Sequence, residues 1–399
     1  MFICMEICMK IIFIERKTFG NEDMLEAYRD LGYQVICHTI LNTVERQDSV
    51  IEENFLYVLE EHRPDYVFSF NYEPLISQVC NRAKVPYLSW TYDSPYVKLY
   101  SFTAINPCNH IFIFDKEEYL KFHKSGITTV HYLPMAANIK RLDRMNDLPA
   151  FYQTSYVPKG DITFIGALYN EQDNHLFYDR MKNLPDFTRG YLEAIMAMQM
   201  KIQGYNFIEE LLTPAVIQDM QTALPLTPSR DGVESLTYLY ANYVINRKIT
   251  ELERLQLLHE ITGQYALDLY TRDPDFSMTG IINHGPVDYY DFAPYVYRLS
   301  KINLNITLRS IKSGIPLRCF DIMGAGGFLL SNFQSDFMED FIPGEDFAAY
   351  GSPEELLSLI AYYLEHENER KTIARNGHDK IKESHTYLHR IKTMENYLS

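Results

Sequence analysis

The stretch at 302–332, INLNITLRSIKSGIPLRCFDIMGAGGFLLSN, carries the strand, helix and strand succession on which the fold depends. Residues 302–307 are read as a strand. Pro316 then opens a helix predicted over 316–324, because proline at the first helical position has no amide hydrogen to lose. A second strand is predicted over 327–331. Between the strands lie Arg309, Lys312, Gly314 and Arg318. In open α/β sheets ligands bind beyond the carboxyl ends of strands. A helix start there offers unpaired amides and positive potential, and Arg309 and Arg318 can add bidentate contacts to phosphate oxygens. The combination suits the diphosphate of a leaving nucleotide, with Asp321 one turn on, in reach of a ribose hydroxyl pair. Pairing of Arg318 with Asp321 at i, i+3 is the alternative use of those charges. Gly324, Gly326 and Gly327 follow a helix and precede a strand, the reverse of a dinucleotide-binding glycine loop, so they speak for backbone packing.

Outward from this segment the same alternation recurs. In the first third, strands are predicted at 10–14, 34–39, 66–70, 87–90, 111–114 and 130–133, with helices between them. Asn21 is a candidate helix cap and Gly32 a helix stop. The irregular stretch 141–160 contains Pro149 and Pro158 and reads as a linker. A second α/β unit starts with a strand at 161–165. It is interrupted by a helical insertion at about 175–264, and resumes with a strand at 266–270 and a helix at about 289–300. The predicted organisation is an N-terminal Rossmann-like domain over 1–145, a second over 158–384 and a C-terminal helix over 385–399. A chain of 399 residues fits two domains, because single cores stop growing near 250 to 300 residues.

Composition narrows the partners. Asp plus Glu number 53 against 37 Lys plus Arg, a formal charge of −16, which repels polyanions and disfavours nucleic acid. Six scattered cysteines without a C-x-x-C pair fit free thiols and a cytoplasmic location. Glu6 and Lys10 interrupt the apolar opening, so residues 1–8 read as an upstream extension and not as an export signal. No run of 18 apolar residues predicts a membrane span. The chain lacks the H-E-x-x-H, G-x-S-x-G and G-x-x-x-x-G-K-[ST] strings of metalloproteases, hydrolase elbows and P-loops. Its D-x-D string, Asp273-Pro274-Asp275, reads as a turn, and no metal is expected.

Polar residues that follow the strands of the first domain are Glu15, His38, Asn71, Asp93 and Asp115. Of these, Asp93 in TYDSP is the candidate general base, placed to take a proton from an attacking hydroxyl. An Asp-Ser-Pro turn is the other reading of the same residues.

At the segments FGNEDMLEAYRDLGYQV, PYLSWTYDSPYVKLYS, FIGALYNEQDN, YLEAIMAMQMKIQGYNFIEELL, SKINLNITLRSIKSGIPLRCFDIMGAGGFLLSNFQSDF and FIPGEDFAAYGSPEEL the chain resembles the group 1 glycosyltransferases related to the spore-maturation protein CgeB. The resemblance spans nearly the whole chain. It implies a GT-B fold, an α/β architecture of two Rossmann-like domains facing each other across a cleft, here with a helical insertion in the second. It also implies metal-independent transfer, with the nucleotide sugar as co-substrate and no further cofactor. By position Asp321 is similar to the second acid of the E-x7-E element of wider GT-B enzymes, which holds the donor ribose, whereas Ser313 stands at the first. Gly166 matches the F-[IV]-G segment, where the backbone approaches the donor. Asp93 matches the D-S-P segment. The expected activity is hexosyl transfer from a UDP or dTDP sugar to a protein or surface-polysaccharide acceptor. A catalytically silent nucleotide- or glycan-binding scaffold and a CDP-linked polyol-phosphate transferase are the alternatives, and the oligomeric state is open.

Overall fold

The structure is a computed structural model that describes residues 9–40, 48–145, 157–158, 160–171 and 176–398. The expected extension at 1–8, most of the expected linker and the first residue of the expected insertion lie outside the described residues. The chain forms two compact units. The first runs to Met135 and adds Ser229–Glu234 and Thr386–Ser399; the second comprises Ala136–Pro228 and Ser235–His385. Residues 136–145, assigned to the first domain from sequence, thus group with the second.

The first unit is a parallel sheet of β1 (Lys10–Glu15), β2 (Gln34–Thr39), β3 (Tyr66–Phe70), β4 (Tyr87–Thr91), β5 (Asn109–Ile113) and β6 (Val130–Tyr132), in the order β2-β1-β3-β4-β5-β6. Every residue of β3 and β4 is buried, as expected for central strands covered by helices on both faces. The helix Asn21–Asp30 is capped by Gly20 at φ +86, not by Asn21. Asn21 is already helical. Its amide instead donates to the Arg16 carbonyl at 2.6 Å, and its oxygen accepts from the Thr18 hydroxyl at 2.6 Å. A side chain at Gly20 would also meet the Tyr387 hydroxyl at 2.8 Å, so two constraints select glycine there. Gly32, at φ +75, does end the helix.

The C-terminal helix Tyr387–Glu395 belongs to this first unit. Tyr387 packs edge-on against Trp90 with centroids 5.8 Å apart, and Arg390 Nε donates to the carbonyls of Pro134 and Met135 at 2.8 and 3.1 Å. Glu395 accepts from the hydroxyls of Tyr33 and Tyr66 at 3.0 and 3.1 Å. Burial pushes its carboxyl up. Beside this helix end, His110 of β5 and His131 of β6 stack at 5.9 Å, with Tyr397 4.1 Å from His131. Burial, and then the neighbouring His110, pull His131 down from 6.5 to about 4. Between those values the unfolded chain binds the extra proton and the folded one does not, so stability falls as pH drops through this window. Glu395 works in the opposite sense, since its contribution is full in acid and is lost as pH rises through its raised folded value. Thermal melts followed by circular dichroism are therefore expected to show a falling melting temperature between about pH 6.5 and 4. His131→Phe should flatten that slope, and an unchanged slope would remove His131 from the account.

The second unit is a parallel sheet of β7 (Ile162–Ile165), β8 (Leu267–Tyr270), β9 (Ile281–Asn283), β10 (Ile302–Asn305), β11 (Leu329–Asn332) and β12 (Ala348–Tyr350), ordered β12-β11-β10-β7-β8-β9. The three-residue edge strands β9 and β12 are too short to carry a periodicity signal. The chain moves outward from β7 to β9, then returns to lay β10 beside β7 in the register Leu304 against Phe164. This reversal creates a switch point, a crevice at the carboxyl ends of β7 and β10.

The insertion sits between β7 and β8 and has its own core, with Leu192, Ile195, Met220, Tyr240 and Val244 buried together. The helix Asn246–Thr262 joins that core to the sheet, since Ile249 packs into the insertion while Leu257, Leu258 and Ile261 pack beneath the strands. The helix expected at about 289–300 is shorter, Ala293–Leu299. The Asp288 carboxylate accepts from the amides of Tyr290 and Asp291 at 2.9 and 2.7 Å and holds those residues in a turn. Asp273 likewise accepts from the Asp275 amide at 3.0 Å, forming the turn expected of that D-x-D string. No helix of the described residues is long and apolar enough to cross a membrane.

Candidate functional site

The switch point of the second unit gathers residues from three distant parts of the chain. β7 ends at Ile165, and the Gly166 amide donates to the Tyr270 carbonyl at 2.9 Å. A Cβ on Gly166 would lie 2.7 Å from Arg318 Nη2. The guanidinium of Arg318 thus lies against the backbone at Gly166, and a side chain there would displace its tip. Arg318 stands at the start of the helix Leu317–Gly324, with Nη1 3.4 Å from Asn305 Oδ1 and its guanidinium 5.3 Å from the centre of the Phe164 ring. The alternative i, i+3 pair with Asp321 is not formed among the described residues.

Sequence reasoning passed over the residue on the same ring. Arg254, in the helix Asn246–Thr262, places its guanidinium 5.2 Å from the Phe164 ring centre and 5.0 Å from that of Tyr169. It donates to the carbonyls of Ala167 and Ile306, the latter at 2.5 Å, and its Nε is buried with no hydrogen-bond partner among the described residues. Burial pulls its pKa down to about 10; Tyr169, Glu253 and Glu171 oppose this, and the nearby Arg318 charge acts in the same direction as burial. Among the described residues no carboxylate forms an ion pair with either guanidinium. Two like charges brought together without a direct counter-ion are costly unless an anion joins them. The signal in sequence was faint, an arginine on the inner face of an amphipathic helix.

Arg309 is different. Its guanidinium is buried and bound by Glu253, with Nε to Oε2 at 2.8 Å and Nη2 to Oε1 at 2.5 Å, while Nη1 donates to the Ile202 carbonyl at 3.0 Å. These contacts engage all three guanidinium nitrogens, so the structure does not bring Arg309 into the Arg254–Arg318 group. Lys312 reaches Glu209 at 3.0 Å. Asp321 is buried at 5% exposure and accepts from the Tyr289 hydroxyl at 3.0 Å. Ser313 is buried too, its carbonyl accepting from the Asp336 amide at 3.2 Å.

In the first unit, Asp93 follows β4 and is exposed. Its neighbour on the adjacent strand end is Asn71, which follows β3 in the left-handed region at φ +58. Asn71 Nδ2 donates to Asp93 Oδ2 at 2.9 Å, and Asn71 Oδ1 accepts from the amides of Tyr92 and Asp93 at 3.1 and 3.3 Å. One asparagine thus fixes both the backbone and the carboxylate of the loop, leaving an oriented acid at the sheet's carboxyl edge. Asn71 was legible in sequence as a residue after a strand, but not as the partner of Asp93.

Comparison with known proteins places these features in a context. Residues 247–396 match a family described as glycosyl transferase-like. No curated protein matches the sequence. The chain is similar in fold to a glycosyltransferase from Rickettsia africae, at 10% identity and a TM-score of 0.51 over 98% of this chain and 99% of that one. Anabaena HepE, in complex with UDP and glucose, gives 10% identity and a TM-score of 0.52 over the same shares. Sucrose-phosphate synthase from Thermosynechococcus elongatus gives 12% and 0.50, again over 98% and 99%. The matched family and the shared GT-B fold together support a glycosyltransferase, and the match itself covers Arg254, Arg318 and Asp321.

Proposed function

We propose that the protein transfers a hexose from a UDP or dTDP sugar to a protein or surface-polysaccharide acceptor, without a metal ion and in the cytoplasm. The observation that carries this reading is the Arg254–Arg318 pair on the Phe164 ring at the switch point. An acceptor oxygen attacks the anomeric carbon, the bond from that carbon to the diphosphate oxygen breaks, and the nucleoside diphosphate leaves with the bonding electrons. The two guanidiniums stabilise its growing charge. Gly166 lets Arg318 approach, and Asp321 with Tyr289 forms the polar edge facing the ribose. Arg309 holds the loop in place through Glu253. For an inverting reaction Asp93, oriented by Asn71, takes the proton of the acceptor hydroxyl.

A thermal-shift panel of UDP, dTDP, GDP and CDP tests the reading. UDP or dTDP at 100 times its Kd should stabilise the fold by about 2.7 kcal/mol. Absence of any shift would overturn the donor assignment, and a response to CDP alone would move it to a polyol-phosphate transferase. Ser313, at the position of the first ribose or sugar acid, favours one further reading, a nucleotide-binding scaffold without turnover. Hydrolysis of the UDP sugar by the purified protein eliminates that reading.

A further inference from the structure

A pocket partly open to solvent lies in the second unit between the loop after β7 and the helical insertion. Three local irregularities converge on it. Tyr169 is in the left-handed region at φ +66, an uncommon state for a bulky residue. Residues Tyr240–Ile245 form a π-helical turn, and such turns occur often at functional sites. Among the described residues the buried Tyr178 hydroxyl and Arg247 Nε have no hydrogen-bond partner. Backbone strain and unsatisfied polar atoms cost stability, and their concentration around one opening points to a ligand.

The lining specifies its chemistry. Tyr169, Tyr178 and Tyr243 present aromatic surface, with the Arg247 guanidinium 5.5 Å from the Tyr243 ring centre. Lys248 is bound to Asp179 at 3.0 Å and to Glu251 at 2.9 Å, so two cations stand against two carboxylates. A balanced set of this kind offers no net attraction to a phosphate, but supplies both donors and acceptors to hydroxyl groups. Aromatic surface beside them suits the C–H face of a sugar ring. Tyr169 also lies beneath Arg254, so the pocket adjoins the proposed diphosphate pair.

We infer that this pocket binds one neutral pyranose unit of the acceptor glycan, holding it on the helical insertion. The assignment to an acceptor rests on the glycosyltransferase reading, whereas sugar binding itself does not.

Saturation-transfer NMR on the full chain, with methyl glucoside, methyl galactoside and methyl N-acetylglucosaminide as probes, tests both parts. At least one probe should give a signal that persists at saturating UDP and in Arg318→Ala. That signal should fall at least fivefold in Tyr243→Ala and Arg247→Met. Tyr178→Phe, which removes a single hydroxyl, should weaken it in a protein whose melting temperature is retained. No signal from any probe, or one unchanged in the Tyr243, Arg247 and Tyr178 variants, overturns the inference. Loss of the signal on adding UDP overturns it as well, by making the pocket part of the donor site. UDP's own resonances report separately on the donor reading, since saturation transfer to UDP in the wild type and its absence in Arg318→Ala depend only on the diphosphate pair.

Discussion

Alanine in place of Glu253 is expected to destabilise the second unit by about 3–5 kcal/mol, because it leaves the Arg309 charge buried without its partner. Glu253 and Arg309 are 5% and 8% exposed, and the Glu253 carboxylate also accepts from Gln203 Nε2 at 3.0 Å. Around them the Arg309 amide donates to Thr250 Oγ1 at 2.9 Å, and its carbonyl accepts from Asn206 Nδ2 at 2.7 Å. The ion pair therefore ties the loop after β10 to the helix Asn246–Thr262 and to the insertion. Urea denaturation measures the loss. Glu253→Leu combined with Arg309→Met should recover most of it, since apolar replacement of both members of a buried pair is often neutral or stabilising. A cost for Glu253→Ala below about 1 kcal/mol, the level of an exposed pair, would show that the contact is not structural and would return Arg309 to the diphosphate.

The second large effect is on donor binding. Arg318→Ala is expected to raise the Kd for UDP by about 10- to 150-fold, the equivalent of losing about 1.5–3 kcal/mol in hydrogen bonds to a charged group. Its effect on stability should be small. Arg318 is partly exposed and, among the described residues, is held by a 3.4 Å contact to Asn305 and the face of Phe164. Arg318→Lys keeps the charge but not the planar fork and should restore only part of the affinity. Gly166→Ala probes the same contact from the other side, because the new methyl would lie 2.7 Å from Nη2 and displace the guanidinium tip. Isothermal titration with UDP decides the matter, and a Kd within twofold of wild type for Arg318→Ala would sink the assignment.

The contrast between Arg309 and Arg318 marks the boundary of what sequence could reveal. Both arginines lie in the one segment between β10 and β11, and nothing local distinguishes a phosphate ligand from a buried structural cation. Glu253, 56 residues earlier, makes the difference, and Arg254 beside it completes the charged pair on Phe164. Both lie on the helix Asn246–Thr262. The packing of that helix beneath the sheet brings their side chains to the crevice opened by the strand order. Likewise Asn71 and Asp93 lie 22 residues apart and meet because β3 and β4 are neighbours. The buried central strands, the helix entered at Pro316, the glycine stop at Gly32 and the helical character of the insertion were determined by sequence alone. Each rests on apolar periodicity or on the conformational limits of proline and glycine, which act within a few residues. Charge partners, short edge strands and the return of the helix Tyr387–Glu395 to the first unit were decided only by tertiary structure. They depend on pairings between segments far apart in the chain, where burial turns a choice of partner into several kcal/mol and local pattern carries no record of it.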